Sequence, residues 1–205
     1  MRLNDWIADM ERIAPPELAL AWDNVGLLVS PETERIERVL VALDCTAEVA
    51  DEAADCGAQL VLTHHPVLFS GAKRILRDAP DTAAVYRLIR RGVGLYAAHT
   101  NLDAAPGGVN DALAEAIGAR VTGILNAEEG ISRLCELPEE LPFRDFLNKV
   151  KTALGANGLR YAGPGRPVKR IGLCGGAGAG DMYLALERGC DTYVTADVKH
   201  HEFIA

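Results

Sequence analysis

Short apolar runs joined by amphipathic segments dominate the pattern of this chain. The run 60–62 (Leu-Val-Leu) has no polar alternation, which is typical of a strand covered on both faces, and residues 63–66 (Thr-His-His-Pro) follow it. A second run, residues 92–98, also ends at a histidine, His99. Between the runs, residues 81–91 repeat apolar positions at helical spacing. Strand, helix and strand in this order predict a right-handed crossover between parallel strands.

The crossover predicts where the most reactive side chains lie. The carboxyl ends of parallel strands meet at one edge of a sheet, which brings His64, His65, His99 and Asp103 to a common edge. Imidazole and carboxylate groups are frequent metal ligands, so the pattern indicates a metal site. Neighbours on an ideal strand point to opposite faces, so His64 and His65 share one ion only if the backbone bends, or they serve two ions side by side. The alternative is two histidines bonded to backbone carbonyls at a loop mouth.

Polar starts and glycine or proline stops predict the other elements. Helices are expected to begin at Asn4 or Asp5, Thr46, Asp81, Asn110 and Pro142. Strands are expected over 26–29, 38–44, 159–163, 168–174 and 190–196, with 159–163 and 168–174 paired around a turn. Residues 22–24 (Trp-Asp-Asn) read as a turn with a hydrophobic anchor, and the acidic stretch 128–140 as a solvated face.

Size and charge narrow the classes of function. The 205 residues are enough for one domain or two small ones with a real core. The net charge of −8 argues against a general nucleic-acid or membrane-surface binder, because phosphate binding needs clustered lysine and arginine. No run approaches the roughly 20 apolar residues of a membrane span, and the N-terminus lacks the apolar core of a signal peptide.

The five cysteines occur without a Cys-x-x-Cys pair, which is typical of reduced, buried thiols in the cytoplasm. Cys174 precedes a glycine-rich stretch, residues 175–180, so a nucleophilic role for its thiol is an alternative. That stretch lies between a predicted strand and a predicted helix and could hold phosphate, but it matches neither a Walker loop nor the dinucleotide fingerprint. Close packing of the backbone explains its small residues as well.

Five blocks of sequence stand out together: residues 22–27, 63–66, 99–103, 107–110 and 195–199. They resemble the Nif-three-like family, whose members are often labelled GTP cyclohydrolase I type 2. The resemblance spans essentially the whole chain, and the His-His-Pro and Asn-Leu-Asp blocks at this separation are its most specific part. It implies a two-lobed α/β fold with mostly parallel sheets flanked by helices. The lobes would be residues 1–125, which carry the metal ligands, and residues 126–205.

The resemblance also implies a dinuclear metal centre. His64 and His65 would be ligands, Asp103 would bridge two divalent ions, and His99 would lie nearby as an outer ligand or proton carrier. Mixed imidazole and carboxylate ligands suit zinc, iron, manganese or nickel without distinguishing them. Subunits of the family would assemble into a homohexameric ring, and the absence of an export signal favours the cytoplasm.

The end of the sequence departs from the family pattern. The family's remaining ligands lie in a later Gly-His-x-x-x-Glu block, and this sequence stops at Ala205 before it, so a C-terminal truncation is expected. His200, His201 and Glu202 match a helix start of the family and are an alternative source of ligands. Without the later block a bridged pair of ions would be underliganded, because two histidines and one carboxylate offset little of the repulsion between two dications.

Three functions follow from these observations. The first is a metal-dependent hydrolase whose metal-activated water acts on a nucleotide-like substrate such as GTP, with phosphate-ester hydrolysis chemically as natural. The alternative is a non-catalytic metal-binding or adaptor protein that forms an oligomeric ring. The third is a truncated α/β chain that binds nothing, which a metal content near zero would support.

Overall fold

The computed structural model describes residues 1–203, which form two compact units, Met1–Leu102 and the residues from Asp103 onward. Each unit is built on its own four-stranded sheet. The mixed α/β class predicted from the sequence is therefore confirmed. The lobe boundary predicted after residue 125 stays a prediction. No helix in the described range is long and apolar enough to cross a membrane.

The first unit alternates helices and strands along the chain. Its elements are α1 (Leu3–Ile13), β1 (Gly26–Val29), β2 (Val39–Ala42), α2 (Ala47–Asp55), β3 (Leu60–Thr63), α3 (Ala83–Arg91), β4 (Gly94–Ala97) and α4 (Thr100–Ala104), the last of which crosses the division between the units. The sheet has the order β1-β4-β3-β2. Strands β2, β3 and β4 are parallel, and β1 pairs with β4 antiparallel. The crossover predicted between β3 and β4 is thus confirmed.

Apolar residues on both faces of this sheet explain why helices pack against each face. Leu60, Val61 and Leu95 are fully buried, as a strand covered on two sides requires. Val61 and Leu95 pack with α2 and α3 residues on one face, whereas Leu60 and Tyr96 pack with the α1 residues on the other. The carboxyl ends of β3 and β4 consequently lie side by side, with Thr63 opposite Ala97.

The second unit contains the remaining elements. They are α5 (Val109–Ala116), β5 (Arg120–Ile124), β6 (Arg133–Leu141), α6 (Phe143–Ala153), β7 (Val168–Leu173), α7 (Met182–Glu187), β8 (Thr192–Val194) and α8 (His200–Phe203). Its sheet has the order β5-β6-β7-β8. Only the β7 and β8 pair is parallel, so the mostly parallel character expected of the fold applies to the first sheet.

Strand β6 was not predicted from the sequence. Its first half alternates between buried residues, such as Cys135 and Leu137, and half-buried ones, while Glu139 and Glu140 at its far end are exposed. The solvated face predicted for residues 128–140 is therefore correct at both ends, where Glu128, Glu129, Glu139 and Glu140 are exposed, and wrong for the buried positions of β6 between them. Strand β7 pairs with β6, so the predicted pairing of residues 159–163 with 168–174 is wrong. Residues 159–163 form no strand, because β6 supplies the longer apolar partner.

Two of the predicted helix starts are confirmed. The Thr46 hydroxyl accepts a hydrogen bond from Val49 N (3.3 Å), and Pro142 immediately precedes α6. The other three lie elsewhere: α1 follows Arg2, α3 follows Thr82, and α5 follows Gly108. Buried side-chain bonds explain the last difference, because the Asn110 amide reaches Asp103 O (3.2 Å) and accepts from Gly175 N (2.7 Å) from within the helix.

The cysteines are free thiols with differing exposure. Cys45, Cys135 and Cys174 are buried as predicted, and Cys190 is half-buried. Cys56 is exposed, contrary to the prediction, because it follows the end of α2 at the surface. Burial raises the pKa of Cys174 to about 12. A thiol with this pKa stays protonated near neutral pH, which argues against the alternative of a Cys174 nucleophile.

Candidate metal centre

His64 and His65 follow the last residue of β3, where the backbone leaves the strand. The Thr63 hydroxyl donates to His65 O (2.9 Å), and His65 N donates to Leu43 O (3.1 Å). These bonds hold a bend after the strand, so the two rings need not point to opposite faces. Their centroids are 5.0 Å apart. The bend supplies the condition under which adjacent histidines can approach the same ion.

His99 completes the cluster from the neighbouring strand. It lies between β4 and α4, and its ring centroid is 5.1 Å from that of His64 and 5.5 Å from that of His65. One ligand atom from each of the three rings lies within 4.8 Å of the other two. The predicted convergence of these histidines at one sheet edge is thereby observed.

The spacing and chemistry of the three rings fit a divalent ion. Two nitrogen atoms that each lie about 2.0–2.1 Å from one zinc ion are separated by at most about 4.2 Å. An upper limit of 4.8 Å therefore requires only a small adjustment of the side chains. Among residues 1–203, His64, His65 and His99 are the one group of at least three histidine, cysteine, aspartate or glutamate side chains whose ligand atoms are close enough to bind one metal ion.

Each ring is oriented by an acceptor at Nδ1. His64 Nδ1 lies 2.9 Å from Ala98 O, and His65 Nδ1 lies 2.7 Å from an Asp44 carboxylate oxygen. His99 Nδ1 lies 2.9 and 3.0 Å from the two carboxylate oxygens of Asp23. Because carbonyl and carboxylate oxygens only accept, each neutral ring carries its proton on Nδ1 and its lone pair on Nε2. Protein metal sites use this arrangement to orient ligating histidines.

Asp23 is the functional residue that the sequence analysis missed. Its side chain is fully buried, and its carboxylate accepts hydrogen bonds from His99, Thr100 and Asn24 N. Burial disfavours its charge, but the hydrogen bonds from His99 and Thr100 outweigh burial and hold the pKa of the carboxyl below its ordinary value. Asp23 therefore stays ionised near neutral pH and presents a buried negative charge to the His99 ring.

The segment after β4 is fixed by polar contacts of its own. The fully buried Asn101 side chain accepts from His99 N (2.9 Å) and donates to Ala14 O (2.8 Å). The Thr100 hydroxyl accepts from Leu20 N (3.0 Å). These bonds tie the start of α4 to the chain around residues 14–20. His99 consequently has a defined backbone position as well as an oriented ring.

Asp103 and the α8 residues lie in the second unit. Asp103 is in α4, and its backbone carbonyl accepts from the Asn110 amide (3.2 Å). Its role as a bridging ligand stays a prediction. His200, His201 and Glu202 begin α8, where Glu202 accepts from Lys199 N (2.6 Å), as expected of a helix start.

The whole chain, residues 1–205, matches the model of the family described as Duf34/NIF3 (NGG1p interacting factor 3). The chain belongs to the Duf34/NIF3 family. Curated relatives include a protein of Clostridium perfringens named GTP cyclohydrolase 1 type 2 homolog, which is 40% identical over 98% of this chain and 79% of the relative. A protein of the same name from Streptomyces coelicolor is 34% identical over 98% and 74% of the two chains.

Solved structures agree with this Duf34/NIF3 assignment. A Staphylococcus aureus hypothetical protein aligns with a TM-score of 0.91 and 30% identity, covering all of this chain and 81% of that one. Reduced HcgD from Methanocaldococcus jannaschii aligns with a TM-score of 0.84 and 27% identity, and the alignment covers all of this chain and 82% of the HcgD chain. The Nif-three-like resemblance drawn from five short blocks is therefore confirmed across the full fold.

Proposed function

We propose that this chain is a metal-dependent hydrolase that acts on a nucleotide-like substrate. The observation that carries the proposal is the cluster of His64, His65 and His99, whose ligand atoms lie within 4.8 Å of one another and whose Nδ1 atoms are each bonded to an acceptor. Relatives named GTP cyclohydrolase 1 type 2 homolog support the reaction class. When bound, a divalent ion supplies acidified water and a positive charge that stabilises developing negative charge.

The side chains have distinct proposed roles. His64 and His65 would hold the ion through Nε2, and Asp103 would supply a carboxylate ligand of the same centre. His99 would hold and move the proton of the hydrolysis at Nε2. The buried Asp23 carboxylate keeps the His99 proton on Nδ1 and stabilises the imidazolium formed during that transfer. An ionised, buried partner is well suited to this second task because its field is little screened.

Several finer features of the proposal come from the family resemblance. They are two divalent ions per subunit, a homohexameric ring and a cytoplasmic location. Zinc, iron, manganese and nickel stay equal candidates, since mixed imidazole and carboxylate ligands suit each of them. The ring is compatible with the role of a non-catalytic metal-binding adaptor, which makes the same predictions for metal binding but none for turnover.

The proposal is tested by metal content and GTP turnover of the full chain with its natural C-terminal continuation, if there is one. His65→Ala is expected to lower both metal content and turnover. His201→Ala is the comparison variant, because it removes an exposed imidazole in α8; unchanged metal content is expected, and a loss would support the alternative that α8 supplies ligands. Metal uptake without turnover across a panel of nucleotides and phosphate esters would favour the adaptor role. A wild-type protein that takes up no metal on titration would refute both.

A further inference from the structure

Two large aromatic side chains lie exposed beside the histidine cluster. Trp22 is 56% exposed and Phe69 is 51% exposed. Their ring centroids are 5.5 Å apart, and each ring lies near His99, with centroid distances of 6.2 and 6.4 Å. Apolar surface left in water at the mouth of a polar site is typical of a ligand-binding surface.

The two rings are held in place by the segments that carry them. Asp23, which follows Trp22, is bonded to His99, and the Asn24 amide donates to Leu68 O. Leu68 in turn directly precedes Phe69. The turn that orients the histidine therefore also fixes the backbone next to both aromatic residues. Backbone that is ordered before binding avoids part of the entropy cost of forming a complex.

A cavity of about 590 Å³ continues from Phe69. Its lining includes two exposed cations, Lys73 and Arg74, one exposed carboxylate, Asp81, and Leu76 and Thr82. The volume lies within the range of small-molecule sites. Arginine and lysine are the side chains that most often bind phosphate oxygens. An aromatic surface and a pair of cations thus line one continuous region of the first unit.

We infer that Trp22 and Phe69 form a stacking subsite for the planar ring of a ligand, and that Lys73 and Arg74 bind its anionic tail. The ligand class is a planar heterocycle that carries phosphate, and the inference rests on the proposed function of the adjacent histidines. The two rings contact each other at a tilt of 44°, so the ligand ring lies on their exposed faces and is not inserted between them. Base stacking of this kind tolerates any nucleobase, because every base has a π-face.

Tryptophan fluorescence provides a direct readout of stacking. The chain has two tryptophans, and Trp6 packs edge-on against Tyr96. Trp6→Phe keeps an aromatic ring at that contact and leaves Trp22 as the sole reporter. GTP is expected to quench Trp22 emission saturably in this background, with and without added divalent metal. Guanosine should quench at higher concentrations, and inorganic tripolyphosphate should not quench.

Equilibrium dialysis with GTP then measures the contribution of each side chain in the full protein. Trp22→Ala and Phe69→Ala are each expected to weaken binding roughly 5- to 150-fold, the range that corresponds to loss of one stacking contact. Ile89→Ala, which truncates a 55% exposed side chain on α3, should leave the affinity unchanged. Arg74→Ala should weaken binding of GTP but not of guanosine.

Arg77→Ala is the matched control for Arg74→Ala, because its side chain is likewise exposed but lies outside the cavity lining. The inference is overturned if GTP does not quench Trp22, or if the two aromatic variants bind GTP as tightly as Ile89→Ala does. It is also overturned if those variants change only the elution volume of the protein, since the aromatic pair would then mediate contacts between protein molecules.

Metal analysis of the same samples separates this inference from the proposed function. A protein that binds metal but shows no quenching overturns the stacking subsite and leaves the metal site standing. Quenching by GTP in a protein that takes up no metal overturns the hydrolase and retains the subsite.

Discussion

Replacing Asp23 with asparagine tests whether the buried carboxylate supports the metal site. The substitution keeps the size of the side chain but removes its charge and one of its two acceptor oxygens. Asp23 now accepts from His99 Nδ1 through both oxygens and from Thr100 N (3.1 Å) through one of them. In the variant an amide NH₂ takes the place of one oxygen, so one of these donors meets another donor.

The expected effects follow from the proposed roles of the two histidines. Loss of an outer partner of a histidine in a metal site typically lowers metal affinity or activity 10- to 100-fold, or about 1.4–2.7 kcal/mol. Asp23→Asn should lower turnover toward the upper end of this range and retain most of the metal affinity, because it acts on the proton carrier His99 and its buried charge is little screened. Asp44→Asn should lower metal affinity toward the lower end, since Asp44 is 57% exposed and contacts His65 in a largely solvated position.

A competition titration with a chromophoric chelator measures the metal affinity of the three proteins, and GTP turnover at saturating metal measures their activity. Because one buried donor of Asp23→Asn loses its partner, we also expect a stability loss of about 1–3 kcal/mol, which urea unfolding of the metal-free proteins measures separately. Affinity and turnover should be compared well below the unfolding transition. Wild-type turnover in Asp23→Asn, or a larger loss of turnover in Asp44→Asn, would refute the reasoning.

Three further predictions concern other parts of the chain. His99→Ala should abolish turnover yet retain most of the bound metal, as elemental analysis can show; complete loss of metal would instead make His99 a ligand. Burial opposes the charge of Asp111, but hydrogen bonds from Gly107 N–H and Arg133 lower the pKa of its carboxyl below the ordinary value of 3.8. The Asp111 carboxylate therefore stabilises the fold above pH 3.8, and this stabilisation is lost as the pH falls below that value. The urea midpoints of wild type and Asp111→Asn should therefore converge on acidification, and a constant difference would contradict this. Cys56, which is exposed, should react first with a thiol reagent in the native state, with the buried cysteines reacting only on unfolding.

The sequence predicted the part of the site that depends on local patterns. The apolar runs before His64 and His99 identify β3 and β4, and the helix between them requires the strands to be parallel. These two facts are enough to bring the histidines to one edge. Local patterns make the bend after Thr63 only a condition, because the bend depends on a backbone hydrogen bond from His65 N to Leu43 O, and Leu43 follows the neighbouring strand β2.

The partners of the rings depend on long-range pairing that local patterns do not encode. Asp23 lies 76 positions before His99 in the chain, and only the antiparallel pairing of β1 with β4 brings its turn to the site. The sequence does show the Trp22-Asp23-Asn24 turn. An acidic residue between an aromatic residue and the apolar run of β1 is the signal that could have identified Asp23. The pairing of β6 with β7 was missed for a similar reason, since charged residues at one end of β6 mask the alternation at its other end.

The three imidazoles are chemically identical, yet each is backed by a different acceptor. A neutral carbonyl stands behind His64, a water-exposed acid behind His65 and a sequestered acid behind His99. An anionic acceptor makes a ring more electron-rich than a neutral one does, and more so where water cannot dilute its field. The strongest field therefore acts on His99, the ring proposed to carry the proton. Three side chains of one type thus differ in their surroundings in a way that suits different tasks.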